Sequence, residues 1–209
     1  MAVRIEELVA PGRAALVLQE VQNGVVGEPS VLPALAAAAA ATDLVGHCAR
    51  LAGAARRAGV PVVHCTAETR DDGRGANRNA RLFHAVRRSP VRLSPGSPAV
   101  AVPEVIGVAA EDLVVARHHG LGPVTGTELD PILRNLRVHT IVGVGVSLNV
   151  GILDLAFTAV NLGDQVVIPT DAVVGVPAAY GRDVLTHTLS VVATLTTTET
   201  VVGVWDAAG

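Results

Sequence analysis

The chain contains no lysine, and all sixteen of its Lys and Arg positions are arginine. That absence excludes Schiff-base chemistry and the phosphate-loop lysine outright. Aromatic residues are nearly missing too, at two Phe, one Tyr and one Trp, so the core must be built by close packing of Ala, Val, Leu and Gly. Two cysteines, Cys48 and Cys65, are too few for a disulfide scaffold and lack metal-ligand spacing. There is no excess of positive charge. The net charge of −3 argues against nucleic acid as a main partner, because phosphate binding needs a basic face. The opening stretch MAVRIEELVAPGR has no apolar signal core, so export is not expected and a reduced, cytoplasmic protein is.

The 209 residues are half apolar, with no break in composition, which suits one domain over residues 1–209 with a full core. The run from Thr140 to Val160 is long enough to mimic a membrane span. Asn149 and Asp154 interrupt it, and residue preference changes within it from strand to helix, so it reads as buried core and no membrane partner is expected.

Within that run, Thr140–Val146 reads as a strand buried on both faces. It turns at Ser147-Leu148-Asn149 into a helix whose polar positions, Asp154, Thr158 and Asn161, form one narrow stripe. Turns at the carboxyl ends of parallel strands are where ligands sit in open α/β sheets. Upstream, Ala14–Val21 reads as a first strand ending in Gln19, Glu20, Gln22 and Asn23. Val31–Ala41 is helical after Pro33, and Thr42 or Asp43 can cap a helix with Leu44, Cys48, Leu51 and Ala55 on its core face. Val60–Cys65 is the second strand. His64 and Cys65 lie close to its end, with no partner fixed by spacing.

Periodicity fails from Glu68 to Glu111 apart from the short helix ARLFHAVRR. A connection of this length inside a compact domain is usually a functional loop or lid, and a contact between subunits fits it equally. Asp112–Ala116 is the third strand, followed by Arg117, His118 and His119; adjacent histidines on an extended segment point opposite ways and read as loop residues. Thr127 can cap a helix over Glu128–Arg137. Gln165–Pro169 is a fifth strand, Pro177 opens another helix, and Thr200–Trp205 reads as the last strand. Strands alternating with helices imply a three-layer α/β/α sandwich around a six-stranded parallel sheet.

Gly143 to Ser147 lacks the third glycine of a dinucleotide loop. Gly145 to Asn149 is nearly a nucleophile elbow, but His187 falls on the wet face of its helix, where it cannot complete a triad. Glu20 taken alone reads most simply as a solvated loop acid.

Glu20, Arg117 and Gly151 say more together. With ALVLQEVQNG, AGVPVVH, LVVAR…GTEL, VGVSLNVGILDLAF and GDQVVIPTDAV in this order, the chain resembles the isochorismatase-like hydrolase superfamily from Ala14 to Trp205. The resemblance implies a Rossmann-like sandwich, a homodimer or larger homo-oligomer, no cofactor or metal, and a small-molecule substrate. It also implies an unusual cis peptide at Val146-Ser147. Where the amidohydrolase branch has an Asp, a Lys and a nucleophilic Cys, this chain has Glu20, Arg117 and Gly151. A glycine forms no acyl-enzyme, which favours the branch that cleaves a vinyl ether without a covalent intermediate.

On that reading Glu20 transfers the proton and Arg117 clamps a substrate carboxylate. Ser147, Asn149, Gly151 and Gln22 line the site. Burial would favour protonated Glu20, a neighbouring arginine the carboxylate. The alternative is a catalytically inactive ligand-binding or assembly protein on the same fold.

Overall fold

The computed structural model describes residues 4–209; residues 1–3, part of the opening stretch on which the expectation of no export signal rests, lie outside the described residues. Seven strands form one parallel sheet: β1 (Ala14–Gln19), β2 (Val62–Ala67), β3 (Leu113–Arg117), β4 (Thr140–Val146), β5 (Gln165–Pro169), β6 (Val173–Val174) and β7 (Thr194–Thr196). Six of them run in the order β3-β2-β1-β4-β5-β7, while the two-residue β6 pairs with the carboxyl end of β4. The helices are α1 (Ile5–Leu8), α2 (Asn23–Val26), α3 (Pro33–Ala41), α4 (Leu44–Arg57), α5 (Arg81–Arg88), α6 (Leu129–Asn135), α7 (Leu153–Leu162), α8 (Ala178–Asp183), α9 (Ser190–Val192) and α10 (Thr198–Asp206). π-helical turns at Leu148–Ile152 and Val184–Leu189 lead into α7 and join α8 to α9. No described helix is long and apolar enough to cross a membrane.

The period of two along β1 explains the layers. Ala14, Leu16 and Leu18 enter the apolar cluster under α3, α4 and α10, whereas Ala15 and Val17 enter the one under α6 and α7. Every residue of β1 and β4 is buried, as expected for central strands covered on both faces. Small residues let the layers approach: a Cβ on Gly143 would lie 3.1 Å from Leu155 and 3.2 Å from Ile168. The chain leaves β1 toward β2 and β3, then returns past it to β4. The strand order therefore reverses between β1 and β4, which places a crevice at their carboxyl ends.

One sequence expectation is overturned. Thr200–Trp205 is not a strand but the body of α10, and the edge strand is the preceding Thr194–Thr196. The Val-Val pair suggests a strand, yet the Thr197 side chain accepts from Thr200 N and caps a helix. Val201 and Trp205, one helical turn apart, are then both fully buried, and the Trp205 indole donates to Val9 O at 2.7 Å. Smaller corrections follow from local geometry. Asp43 begins α4 in a left-handed conformation without a side-chain cap, while Thr42 donates back to Ala38 O and closes α3. β1 stops at Gln19 because Glu20 turns to φ +52°. The helix after β4 is not buried all round: Phe157, Val160 and Leu162 are exposed on its outer face.

On the α4 side, a buried polar cluster anchors the end of the long 68–111 segment. Asp112 Oδ2 accepts from Arg56 Nη2 at 2.6 Å, from Ala109 N at 2.9 Å and from His64 Nε2 at 3.1 Å. Arg56 also donates to Ile106 O and Gly107 O. Burial would raise the Asp112 carboxyl, but the donors from Arg56, Ala109 and His64 outweigh it and hold it below its ordinary value. Burial pushes His64 below its ordinary 6.5 despite Asp112, so the imidazole is neutral near pH 7. The unfolded chain takes up this proton near pH 6.5 and the folded one only at lower pH, so the stability due to His64 is full above 6.5 and lost as pH falls. Denaturant melts at pH 7.5 and 5.5 should therefore show a smaller acid loss for His64→Gln than for the parent. Equal losses would rule His64 out as the titrating group.

Candidate active site at the carboxyl ends of the strands

Glu20 follows β1, Arg117 ends β3, and Ser147 to Gly151 follow β4, so the sheet brings the three predicted regions to one edge. All of them line a cavity of about 520 Å³. Glu20 holds its left-handed turn, which costs a non-glycine residue about 1–3 kcal/mol, by donating its N–H to Cys65 O at 2.8 Å. Gly145 beside it is also left-handed, at φ +108°, and a Cβ there would collide with the Gln19 carbonyl. The Val146-Ser147 peptide is cis, as the resemblance implies.

The Arg117 guanidinium donates through Nη2 to Glu20 Oε1 and through Nη1 to Gly120 O at 2.6 Å and His119 O at 3.3 Å. The Glu20 and Arg117 side chains are only 14% and 12% exposed. Gln19 Nε2 donates to the same Glu20 oxygen at 3.1 Å. Oε2 accepts no hydrogen bond from the described residues. With Glu20 and two carbonyls as its acceptors and only Nε without a partner among the described residues, Arg117 is engaged within the protein rather than standing as the free carboxylate clamp that the sequence suggests. It holds Glu20 instead.

Gln22 is likewise not at the cavity. Fully buried, it donates to Ala67 O at 3.0 Å and accepts from Ala67 N at 2.6 Å, tying the ends of β1 and β2 together. Asn149 reaches the cavity wall, where its amide donates to Val176 O at 3.3 Å and accepts from Ser147 Oγ at 3.4 Å. At Gly151 a Cβ would lie 3.0 Å from Gln19 Nε2, 3.2 Å from Val146 O and 3.3 Å from Leu121 O. The glycine is thus a close-packed position. Cys48 and Cys65 are both buried, and burial pushes both thiols up to about 12.

Two residues with a part in the site escaped the sequence reading. Gln19 is fully buried at the end of β1 with Oε1 unpartnered; a polar side chain closing an apolar strand was the available signal. Asp154, noted only as part of a polar stripe, is electrostatically coupled to Arg117. Burial raises its carboxyl, with Arg117 acting the other way, and its Oδ2 packs without a partner against Gly122, where any Cβ would collide with it. Burial in turn lowers Arg117 to about 10, opposed by Asp154, which leaves the guanidinium charged at neutral pH.

The isochorismatase domain model matches residues 14–200. The chain belongs to the isochorismatase family. Solved structures agree with this assignment over nearly the full length. A cysteine hydrolase from Pseudomonas syringae pv. phaseolicola 1448A superposes with a TM-score of 0.82 at 27% identity, covering 97% of this chain and 96% of that one. The pyrazinamidase/nicotinamidase of Streptococcus mutans UA159 has a TM-score of 0.72 at 22% identity over 88% of this chain and 99% of its own. N-carbamoylsarcosine amidase from Thermoplasma acidophilum gives 0.70 at 22%, over 90% and 97%; these last two likenesses concern the fold alone. No curated protein matches the chain. This isochorismatase-family member carries glycine at position 151 and an arginine–glutamate pair in its cleft, and its chemistry has to be built from those groups.

Proposed function

We propose that this family member is a hydrolase of small molecules that works without a covalent intermediate, with Glu20 as the proton-transfer residue. The observation that carries the reading is the arrangement at Glu20: the residue lines the cavity, both of its donors are on Oε1, and Oε2 accepts from none of the described residues. A water held at Oε2 gives up a proton as its oxygen bonds to the substrate carbon. Glu20 then returns that proton to the leaving oxygen or nitrogen as the scissile bond breaks. Arg117 and Gln19 position the carboxylate, while Ser147, Asn149 and Gly151 shape the floor. This water-first route takes Glu20 as a carboxylate, which the two donors on Oε1 suit, in place of the acid-first cleavage of a vinyl ether that the resemblance implies. Self-association through the exposed outer face of α7 belongs to the same proposal.

Assays across esters, amides, carbamates and enol ethers, with intact-mass measurement during turnover, test it. Turnover is expected without any mass increment and without inhibition by iodoacetamide, since both thiols are buried. An adduct, or loss of activity on alkylation, would restore a covalent route. The second reading, a ligand-binding protein without catalysis, is favoured by one observation: the Arg117–Glu20 pair is already satisfied within the protein. Binding with no product across the whole panel supports it.

A further inference from the structure

Resting on the reading of this cleft as a substrate site, we infer that its substrate is an elongated amphipathic carboxylate. The scissile group sits at Glu20, the apolar body lies between α3 and α5, and the anionic end reaches Arg87 and Arg88. Away from Glu20 and Arg117 the cavity walls are apolar: Val31, Leu32 and Leu35 at the start of α3 face Leu82, Phe83 and Val86 of α5. Helix α5 has no buried residue, and Leu82 and Phe83 belong to neither apolar cluster of the core. Of the three, Val86 packs against the core, whereas Leu82 and Phe83 line the cavity, and an apolar ligand body would supply their missing partner.

A second, more open hollow lies on the other side of the same helix, and Val31, Pro33 and Ala85 line both. The two spaces share these walls between α3 and α5, and the proposed ligand would pass between them from the first to the second. Charge is arranged along that route. Arg87 lines the first space and Arg88 the second; none of the ion pairs among the described residues uses either guanidinium. Glu28 is the acidic residue at the second hollow. Seven of the sixteen arginines lie between positions 70 and 92, in a chain of negative net charge. With Arg117 committed to Glu20, this is where a carboxylate finds available donors.

Titration calorimetry with butanoate, hexanoate, octanoate and decanoate, all below micelle formation, tests the proposal on unreactive probes. Affinity is expected to rise about fourfold per added methylene, the value of burying one CH₂, and octanoate to bind more tightly than 1-octanol. An Arg87→Gln/Arg88→Gln variant should lose the preference for acid over alcohol and keep the dependence on length. A flat length series, equal affinity for acid and alcohol in the parent, or no binding at all would overturn it. Hydrolysis plays no part in these readings. If the length and charge dependences hold while no ester or amide is turned over, the hydrolase reading fails and the cleft stands as a binding site for an amphipathic carboxylate; turnover of short polar substrates with a flat series has the opposite meaning.

Discussion

Glu20→Gln is expected to lower kcat/KM by about 10²–10⁴-fold, the usual contribution of a positioned general base. The amide keeps the shape of the side chain and can still accept from Arg117, but it takes no proton from water. Because Arg117 is nearly buried and pairs directly with Glu20, the substitution also removes a charge partner, and lost stability must be separated from lost catalysis. Glu20→Asp makes that separation. It restores a carboxylate one methylene shorter, so it retains a countercharge for Arg117 while drawing the proton acceptor back from the cavity. The expected pattern is a fold close to the parent in thermal melting and a kcat well below it, with rates ordered parent, then Asp, then Gln. If Gln turns over a confirmed substrate within a few-fold of the parent, Glu20 is not the proton-transfer residue.

Asp112→Asn should be the most destabilising single change outside the cleft. The carboxylate is fully buried and satisfies Arg56, His64 and the Ala109 N–H together. Its removal leaves the Arg56 charge, itself only one-fifth exposed, without a counterion. Breaking a buried pair from one side costs about 3–5 kcal/mol, and the partial exposure of Arg56 points to the lower end. In a domain of this size that corresponds to a fall in Tm of about 6–12 °C. Arg56 also grips Ile106 O and Gly107 O, so the far end of the segment that carries α5 should loosen as well. Differential scanning calorimetry measures the first effect, and hydrogen exchange of residues 100–112 the second. A shift below 2 °C would show that solvent replaces the carboxylate at little cost.

The strands and the three site regions were legible because each rests on a local, repeated signal: short β-branched apolar runs for β1, β2, β4 and β5, and polar residues where those runs stop. Thr200–Trp205 misled because β-branched residues satisfy a strand pattern and a helical one equally over so short a stretch. The cap at Thr197 and the burial of Trp205 beneath α4 decide between them, and both are tertiary facts. The role of Arg117 was out of reach for a similar reason. Sequence places a cation at a strand end, but whether its donors face a ligand or a carboxylate on β1 depends on the register of two strands that are not neighbours. Asp154 was visible only as one polar residue among three on α7; its approach to Arg117 depends on Gly122 in a loop with no periodicity to read.

The position of β1 bears on how the molecule comes into being. Its two hydrogen-bonded neighbours are β2, which follows soon in the chain, and β4, which is made far later. A ribosome that has released only the first half can pair one edge of β1 and must leave the other bare. Long-range parallel pairing of this kind is slow and open to aggregation. The cleft, lying across a seam that waits for β4, therefore matures late, and a nascent chain halted before Val146 should lack it altogether.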